Sequence, residues 1–224
     1  MIKEFNIPKT IYLYNEGIKS FDFRQIKNFL KDNFGDIKIC LIRLKSKVVQ
    51  TQGLLFDFIA TKKSFKALEN PKTKDSCCII LTDKLFATLD EDSRPHIRAS
   101  IYSFPSVIST SGIVEGPAKP KDYYFYKQKY TQLGIWDVEE AKVKKKFRNR
   151  FIDYEDKRMN KVIKGYIAQG LVFYITGEPF CKQRNCRLFN AHWQEDLIYA
   201  QIKSGKFCAK HKNTLDEIKE IVAI

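Results

Sequence analysis

The chain has 224 residues, 44% of them hydrophobic and 13% aromatic, which suffices for a packed core and excludes global disorder. Forty Lys and Arg against 26 Asp and Glu give a formal charge of +14, which points to anionic partners: nucleic acid, the ribosome or an acidic membrane surface. No apolar run reaches the roughly 18–20 residues of a membrane span, and no apolar stretch precedes Pro8, so a soluble cytoplasmic protein without a signal peptide is the expectation.

Residues 10–15 are β-prone and end at Glu16-Gly17. Asp22 opens a helix over 22–34 with Gln25 as its capping-box partner; Phe23, Ile26, Leu30 and Phe34 keep the helical period and Gly35 ends it. A strand over 37–44 and a helix over 54–68 follow, then a break at Asn70-Pro71 and a strand over 77–82. Residues 97–110 give one or two strands around Pro105. The segment 109–120 is rich in turn residues and is expected as loop. Tyr123–Tyr126 fits helix or strand equally well.

A helix opens at Asp137 with Glu140 completing a capping box, and Val143, Phe147 and Phe151 recur at four-residue spacing. A second one carries Met159, Val162, Ile163, Tyr166 and Ile167 and stops near Gly177. A short helix over 214–222 starts at Thr214 with Glu217. Strand and helix alternate early and helices dominate late. That order predicts a single α/β domain over 1–224, a twisted sheet covered by helices, with a metal-tied C-terminal subdomain over 178–224.

The six cysteines divide into two kinds. Cys40, Cys77 and Cys78 lie in apolar runs and read as buried strand residues. The other three form a pattern with a histidine, Cys181-x4-Cys186-x21-Cys208-x2-His211, in a polar segment. Structural zinc takes four N or S ligands in a tetrahedron. A Cys-x2-His pair chelates from one turn and Cys181 with Cys186 from a second loop. Lys182, Arg184, Lys206, Lys210 and Lys212 favour the thiolate form. The histidine and the absence of clustered Cys-x2-Cys runs favour zinc over an iron–sulfur cluster. Four protein ligands close the shell, so one structural Zn(2+) is expected.

At these residues the chain resembles the archaemetzincins, zinc metallopeptidases whose pattern is His-Glu-x-x-His-x-x-Gly-x-x-His-Cys, then x4-Cys-x-Met, then a spacer ending in Phe-Cys-x-x-Cys. Gly177, Cys181 and Cys186 keep that spacing, and Phe207-Cys208-x-x-His211 matches the last pair with His for Cys. Residues 78–86 are similar to the family's strand before its cleft, and 101–110 to the next strand. The segments at 105–110 and 190–195 also resemble an uncharacterised archaeal family catalogued as metallopeptidases. The resemblance spans 75–215 and implies a three-layer metzincin-like α/β sandwich with a mixed sheet. By the same alignment the family's catalytic histidines fall on Gly170, Tyr174 and Phe180, its general base on Leu171 and its Met-turn methionine on Leu188. A catalytic zinc needs three N or O donors and an open position. The resemblance therefore implies a retained structural ion and a missing peptidase ion.

Three groups are candidates for a rebuilt site. His192 and Glu195, three apart, share a face if their segment is helical and supply an acid–base pair or a second metal site; His96 is the third. The plain alternative for His192 is a hydrogen-bonded brace of the zinc loop. Glu115, between Gly112 and Gly116, is a weaker candidate from a loop beside the cleft. Residues 142–164 carry ten Lys and Arg against three acids. Lys142, Lys145, Lys146 and Arg150 fall on one helix side, a geometry that fits phosphates; the plain alternative is a solvated face. Tyr123, Tyr124, Tyr126 and Tyr130 either stack on bases or pack in the core. The leading expectation is a zinc-stabilised binding protein for an anionic partner such as RNA or the ribosome. The alternatives are a metal-dependent hydrolase centred on His192 and Glu195, and an RNA- or ribosome-associated basic protein.

Overall fold

In the computed structural model, which describes residues 5–18, 21–68 and 75–223, the early alternation of apolar runs becomes a five-stranded mixed sheet. Its strands are β1 (Thr10–Glu16), β2 (Lys38–Arg43), β5 (Ser76–Thr82), β8 (Ser100–Ile101) and β9 (Ser106–Ser109), in the order β2-β1-β5-β9-β8. All pairs are parallel except β8 with β9. β5 is central and buried at every position, as expected of a parallel strand covered on both faces. Its alternation divides the core. Cys77, Ile79 and Leu81 face one cluster; Cys78 and Ile80 face the other.

The first cluster is packed by α1 (Phe23–Phe34), α3 (Thr110–Glu115), α6 (Met159–Thr176) and α8 (Ala209–Val222). The second lies under α2 (Phe58–Lys66) and a small four-stranded sheet of β3 (Thr51–Gln52), β4 (Leu55–Phe56), β6 (Ala87–Leu89) and β7 (Pro95–Ile97), ordered β3-β4-β6-β7. The remaining helices are α4 (Lys121–Gln132), α5 (Trp136–Phe147) and the short α7 (Gln194–Ile198), which runs into a π-helical turn at Tyr199–Ser204. α4 and α5 form a hairpin around a cluster of their own, Tyr123, Val143, Phe147 and Phe151. Among the described residues no helix is long and apolar enough to cross a membrane.

Several expectations are corrected. The helix expected over 54–68 is shorter, because 51–56 forms a two-strand ladder and Asp57 caps α2 through the Ala60 N–H. The break expected at Asn70-Pro71 lies outside the described residues. The loop expected over 109–120 contains α3, capped by the Ser109 hydroxyl on the Gly112 N–H at 2.8 Å. α5 starts at Trp136 without a side-chain cap, since Glu140 pairs with Lys144 instead. At α1, Asp22 does accept the Gln25 N–H, yet the reciprocal half of the box is absent: the Asp22 N–H goes to Asn160 Oδ1 and the Gln25 amide to the Asp22 carboxylate. α8 begins five residues before the predicted Thr214, because Cys208 takes the N-cap position.

α6 ends as its sequence requires. Gly177 adopts φ +80°, a left-handed cap, and its N–H closes on Phe173 O at 2.8 Å. The chain leaves that cap directly into the Cys181 loop.

Candidate metal centre

The four residues picked out by spacing meet in space. The ligand atoms of Cys181, Cys186, Cys208 and His211 all lie within 4.8 Å of one another. Cys181 Sγ and Cys208 Sγ are 3.8 Å apart, Cys186 Sγ and His211 Nδ1 3.7 Å, and Cys208 Sγ and His211 Nδ1 3.1 Å. A zinc tetrahedron with bonds of about 2.3 Å to sulfur and about 2.0 Å to nitrogen has edges of roughly 3.5–3.8 Å, and the separations in this quartet, from 3.1 Å to no more than 4.8 Å, bracket them. The group could hold a metal ion.

Backbone geometry fixes the first pair. Cys181 N–H donates to Leu188 O, Cys186 N–H to Gln183 O and Phe189 N–H to Cys186 O, so 181–189 is a tight stitched loop. The Gln183 N–H donates to Cys181 Sγ and the Cys208 N–H to Cys186 Sγ. Cys208 and His211 occupy the cap and first turn of α8, where helix N–H groups favour negative charge. Burial pushes the Cys181 thiol up and the Cys186 thiol up to about 12. Burial also raises Cys208, but the N–H groups of His211 and Lys210 and the other two thiols outweigh it and hold Cys208 below the ordinary thiol value. A divalent cation would reverse the two upward shifts by favouring thiolate.

Arg187 ties the loop to the core. It is 8% exposed, donates to Gly205 O and Lys161 O, and stacks over Phe29 of α1 at 4.9 Å; burial lowers it to about 10. Sequence reading missed it, because its partners lie 18 and 26 residues away.

A second feature lies on the other side of Phe180. A cleft of about 460 Å³ is bounded by the Arg98–Tyr102 stretch with edge strand β8, by residues 189–192, and by Tyr166, Gln169 and Phe173 of α6. Tyr102 OH donates to Gln169 Oε1 at 2.6 Å and Gln169 Nε2 to Phe189 O at 3.2 Å. The Tyr102 ring packs against Phe173 and Phe180. Burial raises both tyrosine hydroxyls, Tyr102 and Tyr166, so they stay protonated donors at neutral pH. Arg98 is held by Thr88 Oγ1 and Asp90.

The positions aligned with catalytic ligands lie along α6 and beyond it. Gly170 faces β5, with Ile79 and the Tyr102 ring nearest to where its Cβ would be. Leu171 and Leu188 are fully buried, Tyr174 is half-buried and Phe180 is exposed.

The other candidates are dispersed. His192 lines the cleft, but precedes α7, and its carbonyl accepts the Ala118 N–H. Glu195 is in the first turn of α7 and pairs with Arg150 at 2.8 Å, so the expected shared helical face does not form. His96 pairs with Asp92 in the small sheet. Glu115 ends α3 and pairs with Lys119. Along the basic stripe, Lys142 pairs with Glu139, Lys146 donates to Tyr126 OH, and Arg150 bridges Asp122 and Glu195; Lys145 is exposed. Tyr123 is core, Tyr126 and Tyr130 pack on that core, and Tyr124 is exposed.

Residues 36–218 match a family described as "Probable metallopeptidase family (DUF6775)". Among solved structures, the chain is similar to archaemetzincin from Methanopyrus kandleri, with a TM-score of 0.56 and 10% identity over 98% of this chain and 99% of that one. At that identity the likeness speaks for the fold alone. Among proteins of curated function none matches.

Proposed function

The chain belongs to the "Probable metallopeptidase family (DUF6775)", and from that premise we propose that it keeps a zinc-tied scaffold while its cleft binds a peptide rather than hydrolysing one. One observation carries the reading. Among the described residues, the Cys181, Cys186, Cys208 and His211 group is where His, Cys and acidic side chains converge with metal-ligand spacing, and it is closed by four protein donors. The ion it would hold is structural zinc, which supplies cross-linking and no open coordination position. The cleft has one imidazole, His192, beside an amide, phenols and aromatic rings. A lone histidine does not make the three-donor set that activates water.

What the cleft does offer is recognition. β8 is the edge of its sheet, and the stretch 100–102 forms one wall, a place where an extended segment can add backbone hydrogen bonds. His192 and Asn190 supply polar contacts along it, while Arg98 is held by Thr88 and Asp90. Lys142 is paired with Glu139, and Arg150, past the end of α5, with Glu195, so we place peptide binding in the cleft and leave the basic helix a separate surface.

Metal analysis and a protease assay test this together. The purified protein should hold about one zinc per chain through dialysis and leave a mixed fluorogenic peptide set intact, at every zinc concentration tried. A second, exchangeable zinc that supports cleavage and is lost in His192→Ala would sink the proposal. Neutralising the helix stripe is a separate check: Lys145→Gln with Lys146→Gln should shift the unfolding midpoint by no more than about 4 °C, since exposed contacts contribute about 0–1 kcal/mol.

A further inference from the structure

We propose that the outward face of α2, with the 43–47 loop beside it, is a contact surface for a single-stranded nucleic acid. Lys45, Lys47, Lys62, Lys63 and Lys66 meet its phosphates, and the ring of Phe58 stacks on a base.

The surface forms where α2 turns its polar side out. Thr61 and Phe65 are buried, which leaves Ile59, Lys62, Lys63 and Lys66 together on the solvent face, at the i, i+3, i+4 and i+7 positions of one helix side. The stretch after β2 is fastened to the first turns of the same helix. Gln50 N–H donates to Thr61 Oγ1 at 2.9 Å, Asp57 N–H to Gln50 O at 2.9 Å, and Gln50 Nε2 to Lys47 O at 3.0 Å. The Glu16 carboxylate accepts the Val48 and Val49 N–H groups, so the chain at Lys47 is fixed beside α2.

From the start of β2 to the end of α2, residues 38–66 carry seven Lys and Arg against one acid, Asp57. That carboxylate is already engaged: it caps α2 on the Ala60 N–H and accepts from Gln52 Nε2. Arg43, Lys45, Lys47, Lys62, Lys63 and Lys66 are all exposed, and none forms an ion pair among the described residues. Lys119, Lys142, Lys144 and Arg150, by contrast, each face a carboxylate. In the adjoining small sheet, the acid-rich turn between β6 and β7 gives Asp90 to Arg98 and Asp92 to His96, which leaves Glu91 against six unpaired cations. Such a surface selects a polyanion. Phe58 selects among polyanions. It is 44% exposed, and the Lys62 ammonium lies 5.8 Å from its ring centre, so a cation and an open ring stand side by side. A single strand uses both at once, phosphate on cation and base on ring; a duplex keeps its bases stacked on one another, and an acidic peptide has none to offer. A bilayer would need an apolar face to enter, and the outward side of α2 has one aliphatic residue, Ile59, among three lysines; Leu54 is exposed too, but on the β3–β4 turn.

The test titrates the intact protein into a fluorescein-labelled polyuridylate of about 20 nucleotides, longer than one binding site, and follows anisotropy from low to high salt. Log affinity should fall with log salt at a slope of about −3 to −4, as phosphate contacts at about −0.7 each require for the five lysines named. Lys62→Gln with Lys63→Gln and Lys66→Gln should weaken binding at least about tenfold at low salt and flatten the slope by about 2. Phe58→Leu keeps an apolar residue in place and should weaken binding about fivefold with the slope unchanged. All four positions are exposed, so zinc content and unfolding midpoint should stay at wild-type values, which separates lost binding from lost folding. The proposal is overturned if the protein ignores polyuridylate at low salt, if the triple variant binds it as wild type does, or if Lys145→Gln with Lys146→Gln abolishes binding that the triple variant keeps. Binding of polyglutamate, or of phosphatidylglycerol vesicles, as tight as that of polyuridylate would overturn it too.

Discussion

Replacing Cys208 by Ser is expected to empty the protein of zinc and to lower its unfolding midpoint by about 10–20 °C. Structural zinc contributes on the order of 10 kcal/mol in small domains. Losing even about 5 kcal/mol moves the midpoint of a chain this size by that amount, at roughly 2–4 °C per kcal/mol. The effect should spread because Cys208 caps α8, and α8 buries Leu215 and Ile218 in the main core. Its last turn also packs against α1 at Gly35. Two companions make the test specific. His211→Cys exchanges one zinc ligand for another and should keep both metal and midpoint near wild type. Cys40→Ala removes a half-buried thiol far from the quartet and should cost no more than about 1 kcal/mol. A wild-type protein that carries no zinc, or a Cys208→Ser protein as stable as wild type, would remove the structural ion from the account.

The quartet was legible because both chelating pairs are local. Cys181 with Cys186 and Cys208 with His211 show their spacing within one loop or one turn, and Gly177 anchors the register. α1 was legible because one helical period runs through it to Gly35, α6 because its opening turns keep that period and Gly177 stops it, and β5 because it is a short continuous apolar run. What was not legible is non-local. The Tyr102–Gln169 bond joins residues 67 apart, and Arg150 reaches Glu195 across 45. No windowed pattern holds that information. The second sheet escaped because its strands have two or three residues, too short for alternation to show. The start of α8 escaped because its cap and first turn carry Cys208 and His211, two members of the quartet, and not Ser, Thr or Asp.

α3 is the more instructive miss, and it carries the second large prediction. Thr-Ser-Gly followed by Glu-Gly-Pro reads as turn chemistry, in which glycine supplies positive φ. Gly112 instead sits inside a helix, and its role is to have no side chain. A Cβ there would lie 2.0 Å from Arg98 O and 2.9 Å from Ala99 Cα. Both are backbone atoms, so no rotamer change relieves the clash, and α3 must move off the 98–99 stretch. Gly112→Ala should therefore cost at least about 3 kcal/mol, a midpoint drop of at least about 6 °C. Gly53→Ala is the comparison: φ there is +57° but nothing lies within 4 Å, so the cost should be that of backbone strain alone, about 1 kcal/mol. If both glycines were turn residues, Gly53 would be the worse site for a side chain and the order would reverse. The displaced stretch leads into Ser100–Tyr102, one wall of the cleft, so peptide binding in the cleft should weaken in Gly112→Ala even at temperatures where it remains folded, and in Gly53→Ala it should not. Equal losses of stability in the two variants would mean that the close approach of α3 to Arg98 does not set the shape of the cleft.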